Sequence, residues 1–233
     1  MGLPSGLLYC AVRIGIISDI HGNLIALEAC IQAIRTSCCD KVISLGDDIG
    51  YYPDAVSCLA LLESERIISL LGNHEAMFIG RKELEPEKDD IYQISSIQGV
   101  PQKDVHAIAK RMPVMQLEVA GKEMLFLHGS PWDPLCGYIY PDDDNVHALG
   151  QFGMHYIFMG HTHRAFVCKF GTTTILNVGS VGLPRDNGSR GVFALLDTDK
   201  GEASLKCFDL PVNEIVEKYK KVHPSVIETL YRK

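Results

Sequence analysis

Side chains that bind divalent metal ions recur in short motifs along this 233-residue chain. An Asp-X-His motif ends at His21, a Gly-Asp pair ends at Asp47, and a Gly-Asn-His-Glu motif begins at Gly72. A Gly-His-X-His motif occupies residues 160–163, and His128 stands alone before it. Together they supply two carboxylates, one amide and four imidazoles, enough for two ions. Two ions about 3.5–4 Å apart can clamp a phosphoryl group and produce hydroxide at neutral pH, so the motifs predict a phosphoesterase.

The spacing within the motifs indicates how the ligands would be shared. Asp19 and His21 are two residues apart, and the histidines of the Gly-His-X-His motif have the same spacing. On an extended segment such residues point to one side, so Asp19 and His21 can hold one ion together. Asp47 is the expected bridge, because a carboxylate has two oxygens, and Asn73 would add a neutral oxygen. This mixture of ligands suits manganese, iron, zinc or cobalt, among which we favour manganese, and it argues against a thiolate site.

Composition excludes several classes of function. With 46% hydrophobic residues the chain can bury a sizeable core, and its length predicts a single domain over residues 1–233. The net charge of −7 predicts no diffuse basic surface, and so neither general nucleic-acid binding nor attraction to an anionic membrane. Substrate phosphates would therefore be held locally, by metal ions and a few arginines.

The cysteines and the apolar segments indicate a cytoplasmic protein. None of the eight cysteines forms a Cys-X-X-Cys pair, and most lie in apolar runs, which favours buried free thiols over a disulfide framework. The first ten residues lack the basic start and apolar stretch of a signal peptide. No apolar run approaches the roughly 18–20 residues of a membrane span.

Predicted strands in the first half of the chain end at ligand motifs. These strands cover residues 12–18, 41–45 and 66–70, with helices beginning after Asn23 and over 55–62. Asn23 can cap the first helix, whose apolar residues share one face: Leu24, Leu27, Ile31 and Ile34. This alternation indicates a layered α/β start with ligands along one sheet edge.

The second half is predicted to be mainly β-structure. Its predicted strands cover residues 114–119, 123–127, 156–159, 165–170, 172–176, 191–197 and 202–208. The polar segment 79–112 is long enough to need structure of its own, and we predict a helical insertion beside the site mouth, although its charges also suit a solvated face. Residues 211–233 are predicted as a helical tail, with a surface helix over 212–222.

In their order and their placement after strands, these motifs resemble the calcineurin-like metallophosphoesterase superfamily over residues 13–208. The similarity is strongest to small bacterial and archaeal phosphodiesterases, which tend to have Ser-Asp-Ile-His-Gly-Asn, His-Gly-Ser-Pro and Gly-Ser-Val-Gly-X-Pro-Arg. Here these segments are residues 18–23, 128–131 and 179–185. The resemblance implies an α+β fold, a four-layer αββα sandwich of two mixed β-sheets flanked by helices.

The resemblance also implies two metal positions that share one carboxylate. The first would be held by Asp19, His21, Asp47 and His163. The second would be held by Asp47, Asn73, His128 and His161. His74 would face the substrate as general acid or charge stabiliser, with a structural role as the alternative. The attacking group would be a hydroxide that bridges the metals.

Other residues near the motifs could shape the choice of substrate. Three arginines are candidates for binding phosphate, although ordinary surface roles suit them equally: Arg164, Arg185 and Arg190. The chain departs from the usual pattern of this branch at Asp48, Tyr52 and Trp132, changes that could reshape the mouth of the site.

The expected function is hydrolysis of phosphodiester or phosphomonoester bonds in small phosphoesters or nucleotides. The alternative is a protein-interaction scaffold, because the same fold resembles the retromer subunit that binds partners. Such scaffolds tend to lose metal ligands, and all seven expected ligands are present here. The sequence indicates neither the physiological substrate nor the oligomeric state.

Overall fold

The computed structural model describes residues 12–233. Cys10 and the expectation that the first ten residues form no signal peptide therefore lie outside the described residues. Two mixed five-stranded β-sheets stack face to face, with helices on their outer faces. The predicted four-layer sandwich is confirmed.

The elements follow the predicted alternation in the first half and the predicted β-rich pattern in the second. The strands are β1 (Arg13–Ile17), β2 (Lys41–Ser44), β3 (Ile68–Ser69), β4 (Val114–Val119), β5 (Lys122–Leu127), β6 (Tyr156–Met159), β7 (Ala165–Phe170), β8 (Thr173–Val178), β9 (Arg190–Asp197) and β10 (Glu202–Asp209). The helices are α1 (Leu24–Thr36), α2 (Ala55–Ser64), α3 (Asn73–Phe78), α4 (Pro86–Tyr92), α5 (Gln102–Lys110), α6 (Asn145–Leu149), α7 (Val212–Lys218) and α8 (Pro224–Thr229).

Each sheet has a parallel core with antiparallel neighbours. The first sheet has the order β10-β9-β1-β2-β3, in which β1, β2 and β3 are parallel and β9 runs antiparallel to β1. The second has the order β4-β5-β6-β8-β7, in which β5, β6 and β8 are parallel and the edge strands β4 and β7 are antiparallel. Parallel strands present their carboxyl ends at one edge, which places the residues that follow them together.

Alternation of side chains along the strands produces three apolar layers. Ile16 on β1 faces the second sheet and joins the layer that contains Phe126 and Phe158, while its neighbour Ile17 faces the helices on the outer side. On β5, Leu127 points instead to the outer face of the second sheet, where α6 covers it. Burial on both faces explains why these strands read as nearly continuous apolar runs.

The first helix begins where its sequence predicts. The Asn23 side chain accepts a hydrogen bond from the backbone N–H of Ala26 at 3.2 Å, which satisfies one of the free donors at the helix start. Leu27, Ile31 and Ile34 are buried against the first sheet, whereas Leu24 is only partly buried.

Two predictions about elements are wrong in detail, and one element was missed. The strand predicted over residues 66–70 contains only two paired residues, because Arg66 takes a left-handed turn (φ 55°) after α2. The surface helix predicted over 212–222 is shorter, since α7 ends at Lys218, and a separate helix, α8, begins beyond it at Pro224. Helix α6 was not predicted.

The tail and the inserted segment have clear places in the fold. Ile215, Tyr219 and Val226 in the tail are buried in the layer between the first sheet and its helices. Residues 79–112 contain α4 and α5.

Cysteines within residues 12–233 are free thiols as expected, but only Cys30 and Cys58 are buried. Within the same range, the structure contains no helix that is both long and apolar enough to cross a membrane.

Candidate metal centre

The seven predicted ligands follow strands of both sheets and are all buried. The first sheet supplies one group after β1, β2 and β3: Asp19, His21, Asp47 and Asn73. The second sheet supplies the other group after β5 and β6: His128, His161 and His163. The structure thus brings together side chains that are far apart in sequence. Asp19, for example, lies beside His163, which is 144 residues later in the chain.

The ligand-bearing turns are not extended, contrary to the sequence-based expectation. Five ligands have left-handed backbone conformations with φ between 55° and 65°: Asp19, His21, Asp47, His161 and His163. This region is costly for residues other than glycine, and strain of this kind concentrates at functional sites. Backbone hydrogen bonds hold the turns in place, since Asp19 N–H donates to Gly46 O at 3.0 Å and His21 N–H donates to Asp47 O at 2.9 Å.

Three acceptor groups converge at the first predicted metal position. The Nε2 atoms of His21 and His163 are 3.0 Å apart, and Asp19 Oδ1 lies 3.4 Å from the former and 3.2 Å from the latter. The Nδ1 atom of His163 is 2.7 Å from the carbonyl oxygen of Leu183, which can accept its proton. The corresponding distance from His21 Nδ1 to Ile49 O is 3.4 Å. Both Nε2 lone pairs then face each other and a carboxylate, an arrangement that a cation would stabilise.

A second cluster of ligand atoms lies around the side-chain oxygens of Asn73 and Asp47. His128 Nε2 is 3.0 Å from Asn73 Oδ1 and 3.3 Å from Asp47 Oδ2. Potential ligand atoms of His161, His128 and Asp47 lie within 4.8 Å of one another. Asp47 Oδ2 is also 3.9 Å from His21 Nε2 in the first cluster. Asp47 therefore lies between the two clusters, where a bridging carboxylate would be needed.

Buried atoms without hydrogen-bond partners support this assignment of metal ligands. Asp19 Oδ1 and His161 Nε2 are both inaccessible to solvent and accept no hydrogen bond from the described residues. A buried polar atom without a partner is costly, so each such atom calls for an explanation. Two carboxylates, one amide oxygen and four imidazoles are suitable donors for a transition-metal ion, which would coordinate these atoms.

Three of the predicted ligands already have the charge state that a metal ion requires, whereas His128 must lose a proton, because Asp47 outweighs the effect of burial and raises the pKa of His128 to about 9. Burial lowers the pKa of His161 and of His163 to about 4, so both rings are neutral at pH 7 and have a free lone pair. Burial alone would raise the pKa of Asp47, but the nearby rings of His128 and His74 outweigh it and hold the pKa below its ordinary value. Asp47 is therefore anionic, as a metal ligand must be.

His74 lies so close to the predicted ligands that distance alone does not distinguish it from them. It lies on the first turn of α3, its backbone N–H donates to Asp47 Oδ1 at 2.8 Å, and its Nε2 is 3.8 Å from Asp47 Oδ2. Burial lowers the pKa of His74 to about 3, although Asp47 opposes this effect. The geometry thus permits the predicted role toward substrate as well as a role beside the metal.

Glu75, to which sequence reasoning gave no role, supports the Asp47 loop. Its carboxylate accepts backbone N–H groups from Gly72 and Asp47, both at 2.9 Å, and from Asp48 at 2.7 Å. Burial and then the charges of Asp48 and Asp47 raise the pKa of Glu75 to about 7. The Glu in the Gly-Asn-His-Glu motif is the signal that could have identified this role.

Two of the three unusual residues lie below the site and do not line its mouth. Asp48 is fully buried, where it accepts hydrogen bonds from Ser44 Oγ at 2.6 Å and from Arg111 Nη1 at 2.8 Å. Tyr52 is also buried, and its ring packs against Tyr219. Trp132 is exposed and packs against Phe152.

The three predicted arginines have different surroundings. The backbone N–H of Arg185 donates to His163 O at 3.0 Å, and its guanidinium donates to the hydroxyl of Tyr51 at 3.3 Å. Arg185 therefore lies beside the metal ligands. Arg164 instead has a surface ion pair with Asp186, and Arg190 has one with Asp209, each at 3.8 Å.

Three tyrosines contact the site although sequence reasoning did not select them. The Tyr51 ring stacks on His74 with centroids 5.0 Å apart, and Tyr92 contacts the same histidine at 4.8 Å. Tyr138 contacts His161 at 4.2 Å. None of the three belongs to a ligand motif, so the sequence offered no local signal for these contacts.

Comparison with known proteins agrees with this geometry. Residues 12–201 match the family model for the calcineurin-like phosphoesterase superfamily domain, which covers most of the chain. The chain belongs to the calcineurin-like phosphoesterase superfamily. This assignment confirms the family predicted from the motifs. The superfamily depends on divalent metals, and the His/Asp clusters of this member could hold them.

Individual relatives within the superfamily are distant but align over most of their length. An uncharacterized protein of Methanocaldococcus jannaschii is 27% identical over 92% of both chains. Phosphodiesterase YfcE of Escherichia coli K12 is 25% identical over 78% of this chain and 85% of its own. The crystal structure of a metallophosphoesterase from Sphaerobacter thermophilus is 25% identical, covers 95% of this chain and 98% of its own, and superposes with a TM-score of 0.76.

Proposed function

We propose that this superfamily member hydrolyses phosphodiester or phosphomonoester bonds of small phosphoesters or nucleotides with two divalent ions. The observation that carries the proposal is the convergence of buried acceptors at two adjacent points, with Asp47 between them. Asp19, His21 and His163 complete the first point, and Asn73, His128 and His161 complete the second.

The metal ions and the chain's own residues would have separate roles in hydrolysis. Two bound ions would lower the pKa of a water to supply the nucleophile and would neutralise charge on the phosphoryl oxygens. Arg185 would bind a phosphate oxygen through its planar guanidinium. An anionic phosphoester next to His74 would raise the low pKa of that ring, because a nearby negative charge favours the imidazolium. His74 could then give a proton to the departing oxygen.

Manganese or another transition metal should support activity better than magnesium. Four of the seven ligands are imidazoles, whereas magnesium prefers an octahedron of oxygens with several waters. We expect chelator-treated protein to be inactive toward bis(p-nitrophenyl) phosphate. Manganese should restore release of p-nitrophenolate, and magnesium should restore it poorly.

The control for this experiment is Lys103→Met, which removes an exposed ion pair with Glu63 without touching the ligand clusters. This variant should respond to chelator and manganese as the parent does. Equal rescue by magnesium alone would contradict the assignment of four imidazole ligands. Full metal occupancy without turnover of any phosphoester would instead favour the protein-interaction scaffold.

A further inference from the structure

The mouth of the metal centre has an aromatic surface that the metal ligands do not explain. Tyr138 packs its ring against His161, with centroids 4.2 Å apart, yet 49% of the residue is exposed. Tyr92 contacts His74, with centroids 4.8 Å apart. These two tyrosines therefore adjoin residues at different parts of the ligand cluster.

Tyr138 is held in position by its neighbours in the chain. Ile139 is 3% exposed and packs into the apolar layer beneath α6. The adjacent residues point the other way, and the rings of Tyr138 and Tyr140 stack with centroids 6.2 Å apart and an interplanar angle of 13°. The exposed ring is thus preorganised before any ligand binds, which reduces the entropic cost of binding.

Tyr92 is attached to the ligand loop that follows β2. The backbone N–H of Tyr51 donates to the carbonyl oxygen of Tyr92 at 2.6 Å, and the two rings lie 5.2 Å apart. Tyr51 in turn stacks on His74. The end of α4 is therefore fixed beside the residue proposed to face the leaving group.

Arg185 is linked to Tyr92 through Tyr51, whose ring lies 5.2 Å from the ring of Tyr92. Arg185 donates to the Tyr51 hydroxyl at 3.3 Å. A cation hydrogen-bonded to this group of aromatic rings, next to the predicted ligands for metal ions, matches a ligand that has both a phosphate and a flat ring.

We propose that Tyr138 and Tyr92 form an aromatic wall that stacks the base of a nucleoside phosphoester, while Arg185 contacts its phosphate. This inference rests on the proposed hydrolase function and specifies its substrate class. Stacking tolerates every base, because each base has a π-face, so the wall should select nucleosides over alkyl groups without selecting one base strongly.

The test compares two phosphodiesters with the same leaving group. Thymidine 5′-(p-nitrophenyl phosphate) and methyl p-nitrophenyl phosphate differ only in the group that stays on phosphorus. In both, a water oxygen forms a bond to phosphorus, and the bond to p-nitrophenol oxygen breaks with its electron pair. The ratio of kcat/KM values, nucleoside to methyl, therefore isolates recognition of the nucleoside.

We expect the parent to favour the nucleoside ester. Tyr138→Leu should lower the ratio roughly 10-fold, within the range for loss of one base stack. Tyr138→Phe is the matched control, because it keeps the ring and should keep the ratio. Tyr92→Leu should lower the ratio, and Tyr92→Phe should preserve it. Metal content and the thermal midpoint are measured for each variant so that lost folding is recognised.

A binding measurement separates this inference from the proposed function. Calorimetry compares thymidine 5′-monophosphate with methyl phosphate on metal-loaded protein, and the nucleotide should bind more tightly only where the rings are present. An unchanged ratio or unchanged affinity difference in folded, metal-loaded Tyr138→Leu and Tyr92→Leu would overturn the aromatic wall. Failure of the parent to hydrolyse either ester would reject the hydrolase function. The calorimetric comparison of nucleotide and methyl phosphate would still test the aromatic wall independently.

Discussion

At the residue scale, the carboxylate of Asp47 has a different set of partners for each oxygen. Its Oδ1 accepts the backbone N–H of His74, whereas its Oδ2 lies near His128 and His21. The next residue, Asp48, points away from the clusters and pairs with Arg111. Two adjacent carboxylates therefore have separate tasks, one at the metal centre and one in the support beneath it.

This difference predicts separate effects of two matched substitutions. Asp47→Asn should lower kcat/KM beyond the roughly 10–100-fold typical of a residue that only supports a ligand, because it removes the proposed bridge. Asp48→Asn should mainly lower thermal stability, since Arg111 would lose its buried counter-charge. Turnover of bis(p-nitrophenyl) phosphate, bound manganese and the thermal midpoint are measured for both. Comparable losses of activity at matched stability would show that Asp47 is not the bridge.

His74 can be tested through the basicity of the leaving group. A general acid contributes about 10²- to 10⁴-fold when the departing oxygen is a strong base, whereas p-nitrophenolate leaves readily without a proton. His74→Ala should therefore lower kcat for an alkyl phosphodiester much more than for a p-nitrophenyl ester. The measurement is the ratio of mutant to parent kcat for both substrates at matched metal occupancy.

Two other results would reject proton donation by His74. A uniform loss across both leaving groups would indicate electrostatic stabilisation of the phosphoryl oxygens. Loss of bound metal would assign His74 to the support of the ligands, consistent with its 3.8 Å separation from Asp47 Oδ2.

Motif order named seven residues that the structure brings close together, and their role as metal ligands stays a prediction. Motif order did not predict Tyr51, Tyr92 or Tyr138, because their partners lie elsewhere in the chain and depend on how the loops fold. The spacing of Asp19 and His21 correctly suggested that they converge, but the supposed reason was wrong. Left-handed turns bring the side chains together, and no periodicity in sequence signals such turns.

At the scale of elements, the segment 79–112 is joined by Arg111 to the loop that carries Asp47 and Asp48. Arg111, immediately after α5, lies 2.8 Å from Asp48 Oδ2 and 4.0 Å from Glu75 Oε1. Glu75 in turn accepts the backbone N–H groups that shape the Asp47 loop. The position of α5 is thereby connected to the position of the proposed bridging ligand.

Replacing this arginine should destabilise the protein more than replacing another cation nearby. Arg111→Met leaves the buried carboxylate of Asp48 without its partner, a change that typically costs about 3–5 kcal/mol. Lys103→Met is the control, because Lys103 on α5 has an exposed ion pair with Glu63 that should contribute little. Thermal unfolding measures both variants. Equal midpoints would show that the ion pair does not stabilise this connection.

Elements with a clear apolar pattern and a turn signal were predicted well, whereas elements whose ends depend on tertiary contacts were not. The strand predicted over 156–159 has the observed bounds of β6, and the hairpin predicted around residues 120–122 is formed by β4 and β5. The third strand was predicted too long, because an apolar run does not reveal how much of it finds a partner. The helix predicted over 212–222 was too long, because apolar residues continue its spacing beyond the last helical residue, Lys218.

At the scale of the whole molecule, the candidate centre requires both sheets. The first metal position takes His163 from the second sheet, and the second position takes Asp47 and Asn73 from the first. Metal binding should therefore stabilise the packing of one sheet against the other, because ligands that bind only the folded state stabilise it. The sandwich could be predicted through the family resemblance, whereas the strand order could not be read from periodicity.

Titration of manganese into metal-free protein, followed by electron paramagnetic resonance, tests the central claim most directly. The account predicts two bound ions per chain and, once both positions are filled, a spectrum of two exchange-coupled ions, since Asp47 lies between the clusters. Phosphodiesterase activity should rise with the coupled signal. A single bound ion, or two ions without coupling, in protein that hydrolyses bis(p-nitrophenyl) phosphate would contradict the dinuclear centre.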